Sequence, residues 1–161
     1  MDITVRKITD KALLDLACSY TAGKDIEVKS LKKMYESEHS PIRTQLFVVE
    51  MQDIPSFVST HFVRHKTGVE HFVKSNRPDR GGDGEANRNS PVNHLMFCNA
   101  QTLINMARKR LCSKASIETQ EVMHLIWHGV NEVDPELARC MVPDCEYRKG
   151  CHEFSPCGRH Y

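Results

Sequence analysis

With 161 residues, 40% apolar and 27% charged, the chain suits one soluble domain large enough to bury a hydrophobic core. Its 22 basic and 21 acidic residues leave a net charge of +1, which excludes a global attraction to nucleic acid or an anionic membrane, so any anion binding must be local. No apolar run approaches the roughly 20 residues of a membrane span. MDITVRKITD lacks the apolar centre of a secretion signal, so the expected location is the cytoplasm, with the seven cysteines reduced.

In chain order, Ile3, Val5 and Ile8 alternate with polar residues and predict a half-buried strand. Thr9 or Asp10 caps a helix carrying Leu13, Leu14, Leu16 and Ala17 and ending near Gly23. Ser30 caps a second helix through Leu31, Met34 and Tyr35 that stops before Pro41. QLFVVEM, residues 45–51, is a continuous apolar run and reads as a strand covered on both faces. Asp53 and Pro55 open a further helix, since proline in the first turn forfeits no hydrogen bond. That helix carries Phe57, Val58 and Phe62 and delivers Arg64 and His65 near its C-terminal end. VEHFVKS reads as extended, and PDRGGDGEANRNSP as a loop.

NAQTLINMARKR, residues 99–110, predicts an amphipathic helix: Ala100, Leu103, Ile104, Ala107 and Leu111 share one face, with Asn99, Thr102, Asn105, Lys109 and Arg110 on the other. Asn99 and Arg110 are eleven residues apart, about three turns or roughly 16 Å, so the polar face is either solvated or spans an extended ligand. Ser116 caps the next helix, with Glu118 and Glu121 at the positive end of its dipole and an apolar stripe of Val122, Leu125, Ile126, Val130 and Val133. His124 and His128 lack an HExxH pattern and read as structural.

FVRHKTGVEHFVKSNRPDR, residues 62–80, sets Arg64, Lys66, Lys74, Arg77 and Arg80 against Glu70 and Asp79. Such a segment is either a solvated surface or a site for phosphate or carboxylate, which the planar guanidinium fork matches.

The same segment resembles the signature of the flavin-dependent thymidylate synthases, in which Arg-His-Arg is followed by a serine and an arginine. Here Arg64, His65 and Lys66 are followed after eight residues by Ser75 and then Arg77. The preceding SEHSPIRTQLFVVEMQDIPSFVSTHFVRH and the later NAQTLINMARKR are similar to the family's flanking segments, so the resemblance covers residues 37–133. It implies an α+β fold, a single domain over residues 1–135 with an antiparallel sheet packed against helices; the cysteine-rich tail, residues 136–161, lies outside the family pattern and reads as metal-binding. It also implies that Arg64, His65, Lys66, Asn99 and Asn105 contact FAD, that Ser75 and Arg77 bind deoxyuridylate or a related pyrimidine nucleotide, and that Arg110 contacts the uracil ring as the catalytic group.

In such a family a one-carbon unit passes from methylenetetrahydrofolate to deoxyuridylate with flavin-mediated reduction, NADPH serves as reductant, and the site forms between subunits of a homotetramer. The chain departs from the pattern at Lys66 and Gln101, where the family has arginine, and at Val73, where it has glutamate; the stretch between Arg77 and Asn99 is also short, leaving Arg80 or Arg88 to meet a phosphate. The alternative is a catalytically altered protein on the same scaffold that binds nucleotides or nucleic acid.

The tail CMVPDCEYRKGCHEFSPCGRHY holds Cys140, Cys145, Cys151 and Cys157 among two prolines and two glycines. Four thiolates suffice for tetrahedral zinc, but paired CxxC knuckles are absent, so zinc, an iron–sulfur cluster and uncoordinated thiols stay open, with His152 and His160 as spare ligands. Cys18, Cys98 and Cys112 lie in or beside apolar helical patterns and read as packing residues.

Overall fold

The computed structural model describes residues 1–82, 84–85 and 87–158. His160 lies outside them. Alternating apolar residues build strands β1 (Asp2–Lys7), β2 (Leu46–Pro55), β3 (Val69–Val73) and β4 (Pro91–Asn99), which form one sheet in the order β1-β2-β4-β3 with every neighbouring pair antiparallel. Against one face pack α1 (Lys11–Ala22), α2 (Leu31–Glu36), α3 (Ser56–Val63), α4 (Ala100–Arg110), α5 (Ile117–Val133) and α6 (Pro135–Ala138). A one-turn helix, α7 (Asp144–Tyr147), follows. The α+β expectation holds.

The caps explain several boundaries. Asp10 accepts from the Leu13 N–H at 3.3 Å, Ser30 from Lys33 N–H at 3.3 Å, and Gly23 ends α1 at φ +66°. β2 differs from expectation at both ends. Phe47, Val49, Met51 and Ile54 are buried while Leu46, Val48 and Glu50 are half-buried, so within this chain the strand is covered on one face rather than two. A bulge between Met51 and Ile54, with Asp53 at φ +55°, carries β2 through Pro55, so α3 starts at Ser56 instead of Asp53.

β4 occupies the middle of the sheet although the chain there was expected only to leave a loop. Val92, His94, Met96 and Cys98 face the core, and Asn93, Leu95 and Phe97 face outward. On α4, Thr102 is buried rather than polar-face, because its hydroxyl donates to the Thr67 carbonyl at 2.8 Å. On α5 the core stripe is Val122, Met123, Ile126 and Val130; Leu125 and Val133 are exposed, as are His124 and His128. α5 lies close on β1, where a Cβ at Gly129 would meet Val5 Cγ2 at 2.6 Å. The core runs past residue 135 through Leu137, Ala138 and Met141. A buried polar node joins its two ends: Asp134 accepts from Lys7 Nζ at 2.6 Å and Tyr35 Oη at 2.7 Å, and caps α6 through the Leu137 N–H.

Candidate active site

α3 presents three faces. Val58 and Phe62 enter the core. Ser56, Ser59, Thr60 and Val63 border a cleft of about 410 Å³ closed by Val73, Lys74, Asn76 and Val92. Phe57, His61 and Arg64, at i, i+4 and i+7, form the third.

Cations gather on that third face. The loop before β4 docks there, with Phe57 N–H donating to the Arg88 carbonyl at 2.9 Å and the Arg88 guanidinium 4.7 Å from the Phe57 ring centroid. Phe57 meets the His61 ring edge-on at 5.6 Å. Arg110, at the end of α4, donates through Nη2 to the His61 carbonyl at 2.5 Å and through Nε to His65 Nε2 at 3.2 Å. His61 Nδ1 lies 2.8 Å from Thr119 Oγ1 at the start of α5. Arg64 and Arg110 therefore converge, although 46 residues separate them in sequence.

Burial and then the charges of Arg110, Arg64 and Arg88 push the His61 imidazole below its ordinary range. His65 is pushed down to about 4, first by burial and then by Arg110 and His71. Burial and Arg64 lower the Arg110 pKa as well. A concentration of positive groups that disfavour one another is stabilised by an anion, whose binding relieves the repulsion. The Arg64 and Lys66 side chains are exposed and make no hydrogen bond or ion pair among the described residues, and Arg110 Nη1 likewise keeps its donors.

Behind this face a row of histidines fixes the helix. His71 Nε2 donates to the His65 carbonyl at 2.8 Å, His71 Nδ1 lies 2.9 Å from His94 Nε2, and Ser59 Oγ lies 3.1 Å from His94 Nδ1. Burial, then His71, pushes His94 down to about 4.

The other residues named from the sequence fall elsewhere. Asn99 is the α4 N-cap: its Oδ1 accepts from Thr102 N–H at 3.0 Å, and its side chain lies where a Cβ on Gly68 would come within 2.3 Å of Nδ2. Asn105 is exposed and joins Gln101 and Arg108 around Glu38, to which Gln101 Nε2 donates at 2.6 Å and Arg108 forms an ion pair. Burial pushes the Glu38 carboxyl up, but the Arg108 and Gln101 hydrogen bonds outweigh it and hold the group below the usual range. Arg77 is exposed and held by Asp79 through two bonds of 2.9 Å, while Ser75 accepts from the Arg77 N–H. Among the described residues, no hydrogen bond or ion pair links Ser75 or Arg77 to Arg64, His65 or Arg110.

The cysteines divide. Cys18 and Cys98 are buried as expected. Cys140 lines a cavity of about 290 Å³ with Tyr35, Glu38, Arg108 and Tyr147. Cys112 is half-buried and lines a second, small cavity together with Cys145, Cys151 and Cys157. No three His, Cys, Asp or Glu side chains among the described residues stand in a ready-made metal-holding arrangement.

Sequence reasoning missed Phe57, Ser59, His71, His94, Thr119, Glu38 and Arg108. Reading PVNHLMFCN as an alternating strand would have turned His94 inward. No short-range signal pairs it with His71 or Ser59.

No family model matches the chain, and no curated protein matches it in sequence. Solved structures do match. Thymidylate Synthase X (ThyX) from Helicobacter pylori with FAD and dUMP has a TM-score of 0.67 at 12% identity, over 87% of this chain and 99% of that one. A second structure of that flavin-dependent enzyme, complexed with FAD and dUMP, gives 0.68 at 12% identity, over 88% and 100%. The UMP/dUMP methylase PolB from Streptomyces cacaoi, bound with 5-Br dUMP, gives 0.65 at 16% identity, over 86% and 94%. The chain therefore has the fold of the flavin-dependent thymidylate synthases.

Proposed function

We propose that the protein is a flavin-dependent thymidylate synthase-like enzyme that transfers a one-carbon unit from methylenetetrahydrofolate to deoxyuridylate, with FAD and NADPH. The observation carrying this reading is the convergence of Arg64, Arg88 and Arg110 beside His61 and His65, on a fold shared with enzymes solved with FAD and dUMP. Cations without acid partners fit phosphate-bearing groups: Arg64 and Lys66 would hold the FAD, and bound flavin would supply the reducing equivalents. Arg110, with Nη1 available and its other nitrogens fixed by His61 and His65, would orient against the pyrimidine and stabilise negative charge developing on the ring. Ser75 and Arg77 would meet the nucleotide from a second subunit of a homotetramer. The exposed outer sheet residues Phe72, Leu95 and Phe97 support such assembly.

The test is to incubate purified protein with FAD, NADPH, methylenetetrahydrofolate and deoxyuridylate and to follow thymidylate by mass spectrometry. Thymidylate formation that requires all four supports the reading. A yellow protein that binds deoxyuridylate without product overturns the activity while leaving the site.

A second reading, a nucleotide-binding protein without turnover, is favoured by α4. There Gln101 and Arg108 are engaged with Glu38 and with Asn105 Oδ1, and Asn99 with its own cap, so these side chains are committed within the chain. Colourless protein that takes up deoxyuridylate but no added FAD decides for it.

A further inference from the structure

We propose that Cys112, Cys145, Cys151 and Cys157 bind one zinc ion as a tetrathiolate site that ties the turn between α4 and α5 to the C-terminal segment. All four residues line one small pocket, and four thiolates drawn from two segments make the ligand set of a closed tetrahedral zinc site. The ligand set is not confined to the tail. Cys112 comes from the α4–α5 turn, closed by an Ala115 N–H to Cys112 carbonyl bond of 2.9 Å, and takes the place that Cys140 holds in the sequence pattern.

The local backbone supports this set. After α7 the chain reverses through Lys149 at φ +59°, and the Gly150 N–H returns to the Cys145 carbonyl at 2.8 Å. This turn brings Cys151 back beside Cys145. Lys109 on α4 pairs with Glu153, which lines the same pocket, at 3.3 Å, so a second attachment accompanies the sulfurs. Cys140 is excluded because it lines a different cavity, with Tyr35, Glu38 and Arg108.

The segment also needs a staple. After Met141 no residue among the described ones is fully buried, and Phe154 is wholly exposed, so no apolar core holds the chain there. Metal binding supplies that ordering, drawing the four thiolates into a tetrahedron by side-chain rotation around the cavity. Each thiol loses one proton to solvent on ligation, and no oxidation state changes.

The full chain, purified under reducing conditions without chelator, tests this by elemental analysis and cysteine mapping. The expected result is about one zinc per chain, and a chelator that removes it should expose Cys112, Cys145, Cys151 and Cys157 to alkylation while leaving Cys140 unchanged. Cys112→Ser should lower zinc content at least tenfold, and Cys140→Ser should retain it. Wild-type mapping covers the case in which Cys112→Ser fails to fold. Retention of zinc in Cys112→Ser, exposure of Cys140 instead of Cys112, iron with sulfide in place of zinc, or a metal-free chain two hydrogens lighter per cysteine pair would each overturn the proposal. The site is independent of the proposed activity, and thymidylate formation does not enter these readouts.

Discussion

Arg110 is where the geometry is most specific. Two of its nitrogens are anchored, to His61 on α3 and to His65 just past its end, and the third is available, so truncation removes a positioned donor together with the lock on His61 and His65. Arg110→Ala is expected to lower thymidylate formation about 100-fold or more, with much less effect on FAD retention. Equal loss of both, measured by turnover and bound flavin absorbance, would refute the pyrimidine assignment. The histidines make a separate pH prediction. His65 and His94 sit near 4 in the folded chain against 6.5 for an unperturbed imidazole, so between these values the unfolded chain binds more protons. Stability is complete above pH 6.5 and falls as pH drops towards 4. The urea midpoint should therefore be lower at pH 5 than at pH 7.5, and His94→Gln should flatten that dependence.

At the level of elements, the parts readable from sequence were those with local causes. Asp10, Ser30 and Gly23 mark helix ends by their own hydrogen bonds or backbone angle, and Leu103, Ile104 and Ala107 give α4 its buried side. β4 was missed because the loop before it and the helix after it carry stronger signals than its period-two pattern. The early helix start at Asp53 failed because a bulge, whose Asp53 N–H donates to Asn93 Oδ1 at 3.1 Å, extends β2, a fact set by its partner strand. The convergence of Arg64 with Arg110 was legible through family resemblance; the His71–His94–Ser59 row was not, since it depends on register. Close packing of α5 on β1 yields a further expectation. Gly129→Ala forces Val5 to shift, so despite its better helix propensity it should destabilise the protein by about 1–2 kcal/mol in chemical denaturation.

For the molecule as a whole, the open outer face of the sheet is the feature the single chain leaves unresolved. Light scattering should find an assembly, expected to be a tetramer, and Leu95→Asp on that face should reduce its mass. A monomeric wild type at micromolar concentration would separate the site from any neighbouring subunit. Within one chain, Asp134→Ala should cost about 3 kcal/mol, because Lys7 and Tyr35 would lose a shared buried acceptor. That acceptor has a temporal consequence. Lys7 and Tyr35 emerge early in synthesis, yet their carboxylate partner follows 127 and 99 residues later. A nascent chain stopped before Asp134 leaves the Lys7 ammonium and the Tyr35 hydroxyl without their shared acceptor, so this node closes only once the chain has been made through residue 134.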